Sequence, residues 1–267
     1  MQYQASLTLA NIGLVAIKKV INPYAKIKVK SDLSGIETQN MSFVTNPFDE
    51  VAVIEAVKLK EQGVLQSIIA VSIGNDSKDI LIQALARGID KAIFIKTEPC
   101  VTLTPLKIAK ILHYLTIEHQ ATMVFLGKQA IDDDCNQTGQ MLAGLLNWPQ
   151  GCFVSKITSN CASNMNIQVE REIDGGIETL NINLPAVITM ELQPKEPKYI
   201  SLNQLMQAKK KPFDTILLDQ VLNNIKDFNV NNVTILKTCQ PPNAPVGVKI
   251  STAAELIKIL KNKEKIL

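Results

Sequence analysis

Thr122-Met-Val-Phe-Leu126, then Gly127-Lys-Gln-Ala-Ile-Asp-Asp-Asp-Cys-Asn-Gln-Thr-Gly-Gln140, then Met141-Leu-Ala-Gly-Leu-Leu146 run consecutively in this chain. The first block is a short apolar run that reads as a buried parallel strand, and the last reads as a helix. The polar block between them is a strand-to-helix crossing. Open α/β sheets place their ligands at such crossings, where unpaired N–H groups gather at the helix start. A crossing that serves only the fold needs a cap and a glycine. Three consecutive Asp plus Asn136, Gln137, Thr138 and Gln140 supply far more hydrogen-bonding capacity than capping uses, so the block reads as a ligand site.

The alternation extends on both sides of it. Leu14-Val-Ala-Ile17 is a strand followed by Lys18-Lys19 and a turn at Asn22-Pro23. Tyr24 to Lys30 alternates apolar and basic residues and reads as a hairpin arm. Asn46-Pro-Phe-Asp-Glu50 opens a helix, with Asn46 as N-cap, Pro47 at the first position and acidic residues at the positive end. Gly63 ends that helix. Ser67–Ile73, Lys91–Ile95 and Thr122–Leu126 read as strands, and Asp79–Arg87, closed by Gly88, and Thr104–His119 read as helices. Strands alternating with helices predict a doubly wound parallel sheet. After Trp148-Pro149, the segments around Phe153-Val154, Ile167–Ile173, Gly176–Leu184 and Ala186–Met190 read as an antiparallel extension, with Asp174-Gly175-Gly176 as a hairpin turn. From residue 193 the chain turns Pro- and Lys-rich and loses periodicity until a helix at Thr252–Lys261. The reading is therefore an α/β domain over residues 1–192 and a C-terminal arm over 193–267 that packs on something else.

Composition narrows the function. The chain has 267 residues and a net charge of +3, too weakly basic for a nucleic-acid binder. No apolar run approaches the ~20 residues of a membrane span. Cys100, Cys135, Cys152, Cys161 and Cys239 are scattered without CxxC spacing, which suits a reducing compartment and argues against disulfides or zinc. The start lacks Arg and Lys, so it resembles neither a signal nor a transit peptide. That favours a bacterial cytoplasm over a mitochondrial matrix. His113 and His119 lack ligand spacing, so no metal site is expected, and no nucleophile sits beside a base. Neither G-x-G-x-x-G nor a P-loop is present. A nucleotide phosphate would therefore sit on another helix start, and Asp134-Cys-Asn-Gln-Thr138 is the candidate. Asp132 to Asp134 would oppose a triply charged tail but tolerate a monophosphate. Lys209-Lys-Lys211 after Leu202, Leu205 and Met206 reads either as a solvated helix end or as a docking element for an acidic surface.

Taken together, Leu14 to Ile21, Thr45-Asn-Pro-Phe48, Leu126 to Gln140, Trp148-Pro-Gln-Gly151, Val169 to Glu178, Leu184 to Thr189 and Glu196 to Lys210 resemble the β subunit of electron transfer flavoproteins, in family order. The match covers most of the chain, and Val-x-Arg-x-x-Asp-Gly-Gly…Glu…Leu-Pro-Ala-Val is its signature. The resemblance implies an adenine-nucleotide-binding fold and an obligate heterodimer whose α subunit holds most of the FAD. It also implies an AMP of structural role on this chain. By position AMP would contact Ala16, Asn46, Pro47, Phe48, Asp49, Ser72, Ile73, Gln129, Ala130, Ile131, Asp132, Asp133, Asp134, Cys135, Asn136, Gln137, Thr138, Gly139 and Gln140. Tyr24 and Phe48 match aromatics that approach the flavin, and Glu172 matches a carboxylate that locks the flavin domain in its inactive orientation. Leu202 matches the anchor of a recognition loop that docks acyl-CoA dehydrogenases, with Leu205, Met206, Lys209 and Lys210 beside it; Gln207 stands where the family carries a lysine. The implied activity is electron carriage from flavin dehydrogenases to a membrane electron transfer flavoprotein–quinone oxidoreductase, without substrate turnover of its own. Two other readings are a bifurcating relative with a second FAD in place of AMP, and a non-redox nucleotide-binding regulator.

Overall fold

The computed structural model describes residues 11–99, 101–159, 166–192, 199–226, 228, 234–242 and 246–267. Residues 1–10, read above for a leader, and the first three residues of the 196–210 block lie outside the described residues. The first half carries β1 (Ile12–Ala16), β2 (Lys19–Ile21), β3 (Phe43–Thr45), α1 (Pro47–Glu61), β4 (Ser67–Gly74), α2 (Lys78–Arg87), β5 (Lys91–Lys96) and α3 (Pro105–Glu118). Then follow β6 (Met123–Gly127), α4 (Thr138–Leu146), β7 (Gln150–Ser159), β8 (Asn166–Ile173), β9 (Gly176–Asn183) and β10 (Ala186–Met190). The last described elements are α5 (Leu202–Ala208), β11 (Phe213–Leu217), α6 (Leu218–Leu222) and α7 (Ala253–Asn262).

Nine strands form one sheet in the order β11-β5-β4-β1-β6-β10-β7-β8-β9. The chain leaves β1 for β4 and β5 on one side, then returns across β1 to lay β6 on the other. Strand order thus reverses between β1 and β6, where such sheets open a crevice beyond the strand carboxyl ends. The same crossing changes the face that is covered. On one face Val53, Ala56 and Leu59 of α1 and Ile80, Leu81 and Leu85 of α2 bury Val15, Ile68, Ala70 and Phe125. On the other, Ile111, Leu112 and Leu115 of α3 and Leu142 of α4 bury Leu14, Ile69, Val71 and Val124. Alternate residues of each central strand feed opposite cores, so both faces of the strand read as apolar in sequence. Gly63 (φ 77°) and Gly88 (φ 127°) close α1 and α2 as expected.

Two expectations change. Ala186–Met190 is not antiparallel: β10 pairs parallel with β6 and with β7, and the antiparallel extension is β7-β8-β9. All five residues of β10 are buried, the mark of a strand covered on both faces inside a parallel sheet. The chain after 192 also contains an edge strand, β11, parallel to β5. Only Phe213 and Ile216 of its five residues are half-buried and the others are exposed, which leaves little apolar alternation to read. The Asp174-Gly175 turn does join β8 to β9, with Ile173 opposite Gly176.

The chain forms two compact units. One holds the described residues of Met1–Ala25 and Gln39–Thr234, so it extends past residue 192. The other holds those of Lys26–Thr38 and Ile235–Leu267. In the second, Val29 bridges Ile36 and Thr238 N–H donates to Leu33 O at 2.9 Å. Its helix α7 is capped by Thr252, whose hydroxyl accepts from Glu255 N–H at 3.2 Å, and none of the α7 residues is buried.

Candidate functional site

A cavity of about 260 Å³ opens at the carboxyl ends of β1, β4 and β6. Val71, Leu103, Ile108, Leu112 and Leu126 form an apolar wall, and Gln129, Asn136, Gln137 and Thr138 of the β6–α4 crossing form a polar one. Gln137 occupies the N-cap of α4 and makes no side-chain capping bond. The opening N–H groups of that helix therefore keep their capacity for an external acceptor. Asp134 and Asn136 take left-handed conformations, φ 53° and 49°, which these residue types tolerate better than most. Among the described residues, the buried Gln140 Oε1 has no hydrogen-bond partner.

Three side chains from remote parts of the chain hold the crossing. Asn46, fully buried, donates through Nδ2 to Gln129 O at 2.8 Å and accepts at Oδ1 from Ile131 N–H at 3.2 Å. Its side chain makes no capping bond to α1, so the expected cap is instead a clasp on the loop. Gln129 O and Ile131 N–H, in a half-buried loop, thereby gain side-chain partners, and Pro47 at the first helical position leaves one N–H fewer for a cap to serve. Asp49 accepts from Lys18 N–H and from Gly127 N–H, both at 2.8 Å, joining the ends of β1 and β6. Burial pushes its carboxyl up to about 7, against the pull of those N–H donors, of Asn46 and of the Lys18 charge. A Cβ on Gly127 would lie 2.5 Å from Asp49 Oδ1 and from Phe48 Cβ, so glycine is required there by close approach. Lys18 Nζ bridges Asp132 at 2.7 Å and Asp133 at 2.9 Å. Burial lowers this ammonium, but the two carboxylates outweigh it and leave it above its ordinary value.

Of the residues read as a nucleotide site, Ala16, Asp49, Ile73, Gln129, Ala130, Asp133, Cys135, Asn136, Gln137, Thr138 and Gly139 line the cavity. Asn46, Ile131, Asp132, Asp134 and Gln140 fall outside the lining: Asp134 bonds the Gln129 amide, and Gln140 Nε2 donates to Asn136 Oδ1 at 2.8 Å. Pro47 opens α1 outside the lining. Ser72 alternates with Val71 and Ile73 and so faces the opposite core. The Cys135 thiol is raised by burial and by Asp133, which disfavours the nucleophilic thiolate. Sequence reasoning missed Lys18, Thr97, Val101, Leu103 and Lys128. Thr97 follows the carboxyl end of β5, a position the crossing rule could have flagged.

The expected flavin-side aromatics differ in environment. Tyr24 is 96% exposed, whereas Phe48 is 8% exposed with Lys128 Nζ 5.4 Å from its ring centroid. Lys128 also lies 5.2 Å from the Phe153 ring and pairs with Glu191 at 2.7 Å. Glu172 is exposed on β8, opposite Ile177 near the hairpin tip. On α5, Leu202 and Met206 are 75% and 59% exposed, and Lys209 and Lys210 are exposed beyond them. Leu205 instead packs on the α1/α2 core. A capping box fixes the helix start: Ser201 Oγ accepts from Gln204 N–H at 3.3 Å, and Gln204 Oε1 accepts from Ser201 N–H at 2.8 Å.

This architecture and crossing have known relatives. Residues 35–220 match the Electron transfer flavoprotein domain family. The mitochondrial electron transfer flavoprotein subunit beta of Arabidopsis thaliana is 46% identical over 93% of this chain and 97% of its own. Electron transfer flavoprotein subunit beta of Mus musculus is 43% identical, over 93% of this chain and 96% of its own. That of Bradyrhizobium diazoefficiens is 42% identical, over 95% and 99%. The chain belongs to the electron transfer flavoprotein family, as a β subunit. Its role is accordingly in electron transport by a flavoprotein. Among the described residues no helix is long and apolar enough to cross a membrane.

Proposed function

We propose that this chain forms an obligate heterodimer with an electron transfer flavoprotein α subunit and binds AMP as a structural ligand in the switch-point cavity. The observation that carries the reading is the two-walled cavity at the β1/β6 reversal. Its apolar wall, with Val71, Leu103, Leu112 and Leu126, suits a base. Its polar wall, with the uncapped start of α4 and the Thr138 hydroxyl, suits a phosphate monoester. Both nearby ammonium groups, Lys18 and Lys128, are already paired with carboxylates. That balance matches one phosphate better than three.

FAD, held mostly by the α subunit, supplies the electron chemistry when bound. This chain contributes binding and orientation. Tyr24 offers an exposed aromatic to the flavin side, and Phe48 supports the cavity rim from below. Glu172 offers an exposed carboxylate for an interdomain lock. Leu202, Met206, Lys209 and Lys210 form an apolar knob edged by cations, suited to docking acyl-CoA dehydrogenases, whose electrons the heterodimer passes on to a membrane quinone oxidoreductase. The exposed apolar side of α7, with Leu256 and Ile257, suits burial on the α subunit.

The test is to co-express both subunits, purify the complex and quantify the nucleotides it releases. One FAD and one AMP per heterodimer is the expected result. Two FAD with no AMP would make the cavity a second flavin site, and a monomer indifferent to the α subunit would refute the heterodimer.

A further inference from the structure

The basic run Lys209-Lys-Lys211 is divided by the fold. Lys209 and Lys210 are exposed. Lys211 turns inward, and its Nζ donates to Leu85 O at 2.9 Å and to Ile89 O at 2.6 Å. These carbonyls belong to the last turn of α2 and the residue beyond its Gly88 cap. A helix ends with unpaired carbonyls and partial negative charge, for which an ammonium is the matching partner. Burial pulls the Lys211 ammonium below its ordinary value, with Asp90 opposing and Lys60 adding.

The position of Lys211 in the chain gives this contact a consequence. Its N–H donates to Ala208 O at 3.1 Å, finishing α5, while the next residue, Pro212, accepts from Ala92 N–H at 3.0 Å and leads into β11. Lys211 is therefore the joint between α5 and the sheet edge. Helix α5 has seven residues, too few to persist in water without tertiary anchors. Its inward contacts are small: Ala208, 1% exposed, and the partly buried Leu205. The capping box holds its first turn, and Lys211 ties its last turn to α2.

We propose that Lys211 is a positioning residue: bonded to the end of α2, it fixes the direction in which α5 presents Leu202 and Met206, and Lys209 and Lys210 are the cations that a partner meets. This rests on the docking role proposed above for α5.

The experiment uses the heterodimer carrying Lys211→Met, Lys211→Arg, Lys209→Met or Leu202→Ala. Two readouts are taken: hydrogen exchange across residues 199–211, and steady-state reduction by an acyl-CoA dehydrogenase with the heterodimer as varied acceptor. Lys211→Met is expected to speed α5 exchange roughly tenfold and to raise KM for the acceptor roughly tenfold while kcat changes less than about twofold. Lys211→Arg, which can still donate to both carbonyls, should restore most of both. Lys209→Met should leave exchange unchanged. If Lys211→Met does not fold, Lys211→Gln, which is uncharged and too short to hold both carbonyls, replaces it with the same direction of change in both readouts. Unchanged α5 exchange on loss of the ammonium overturns the proposal. Faster exchange with KM unmoved in both Lys211→Met and Leu202→Ala would keep the anchor and overturn the docking role instead.

Discussion

The β6–α4 crossing and the α5 segment are built on opposite plans. The crossing is polar and lines a cavity, and it is held by side chains remote in sequence: Asn46, Asp49 and Lys18 reach it across 78 to 115 residues. The α5 segment turns Leu202 and Met206 outward, and it is held by local caps, by Leu205 and Ala208 on the α1/α2 core and by the tie from Lys211. A ligand inside the domain is met by main-chain groups, and these keep their direction only if buried partners fix them. A protein partner is met by side chains, which need a firm platform and little else. Damage should therefore propagate differently, costing stability together with ligand at the crossing and affinity alone at α5.

The largest test of that contrast is the pH response of Asp49. The folded chain holds its proton up to about pH 7, while an unfolded chain releases it near 3.9. The stability from this group is full below about pH 4 and is lost as pH rises through 7, by at most about 4 kcal/mol. Denaturant titrations of wild type and Asp49→Asn at pH 4 to 8 should diverge by that slope; parallel curves would show that Asp49 ionises freely. Next in size, Asn46→Ala strands Gln129 O and Ile131 N–H and should cost about 3 kcal/mol, with nucleotide lost during purification. Retained nucleotide and an unshifted midpoint would mean that the crossing holds itself.

At α5 the contrast predicts the reverse pattern. Leu202→Ala should leave thermal stability unchanged yet raise KM for the dehydrogenase couple roughly tenfold, about 1.4 kcal/mol. A fall in melting temperature comparable to that of Asn46→Ala would erase the distinction. The smallest effect is expected at Lys18→Ala. Its ion pairs with Asp132 and Asp133 are partly exposed, so the change should cost less than about 1 kcal/mol and shrink further in high salt. A salt-independent loss of several kcal/mol would place that pair among the buried clasps.

Much of this was legible in the chain itself. Strand–helix alternation announced the parallel sheet, Gly63 and Gly88 the helix ends, and Asp174-Gly175 the hairpin. The dense polar run at 129–140 announced the crossing, because no economical turn needs so many donors and acceptors. Periodicity, however, records which faces are covered and not which strand lies alongside, so the antiparallel reading of Ala186–Met190 fails, although apolar Ala186, Val187 and Ile188 in succession suit a strand buried on both faces. Edge strand β11, with Asp214, Thr215 and Leu217 exposed, left no alternation to find.

The sequence by itself determined the sheet class, the place of the crossing and the family signature, because each depends on residues close together in the chain or on runs of one character. Only the tertiary structure decided that Asn46 clasps a loop instead of capping its own helix, that Asp49 joins β1 to β6, and that Lys211 parts from its two neighbours to close α2. Those roles depend on which main-chain groups are left without water or a partner, and that is settled only when segments 78 to 126 residues apart meet in the fold.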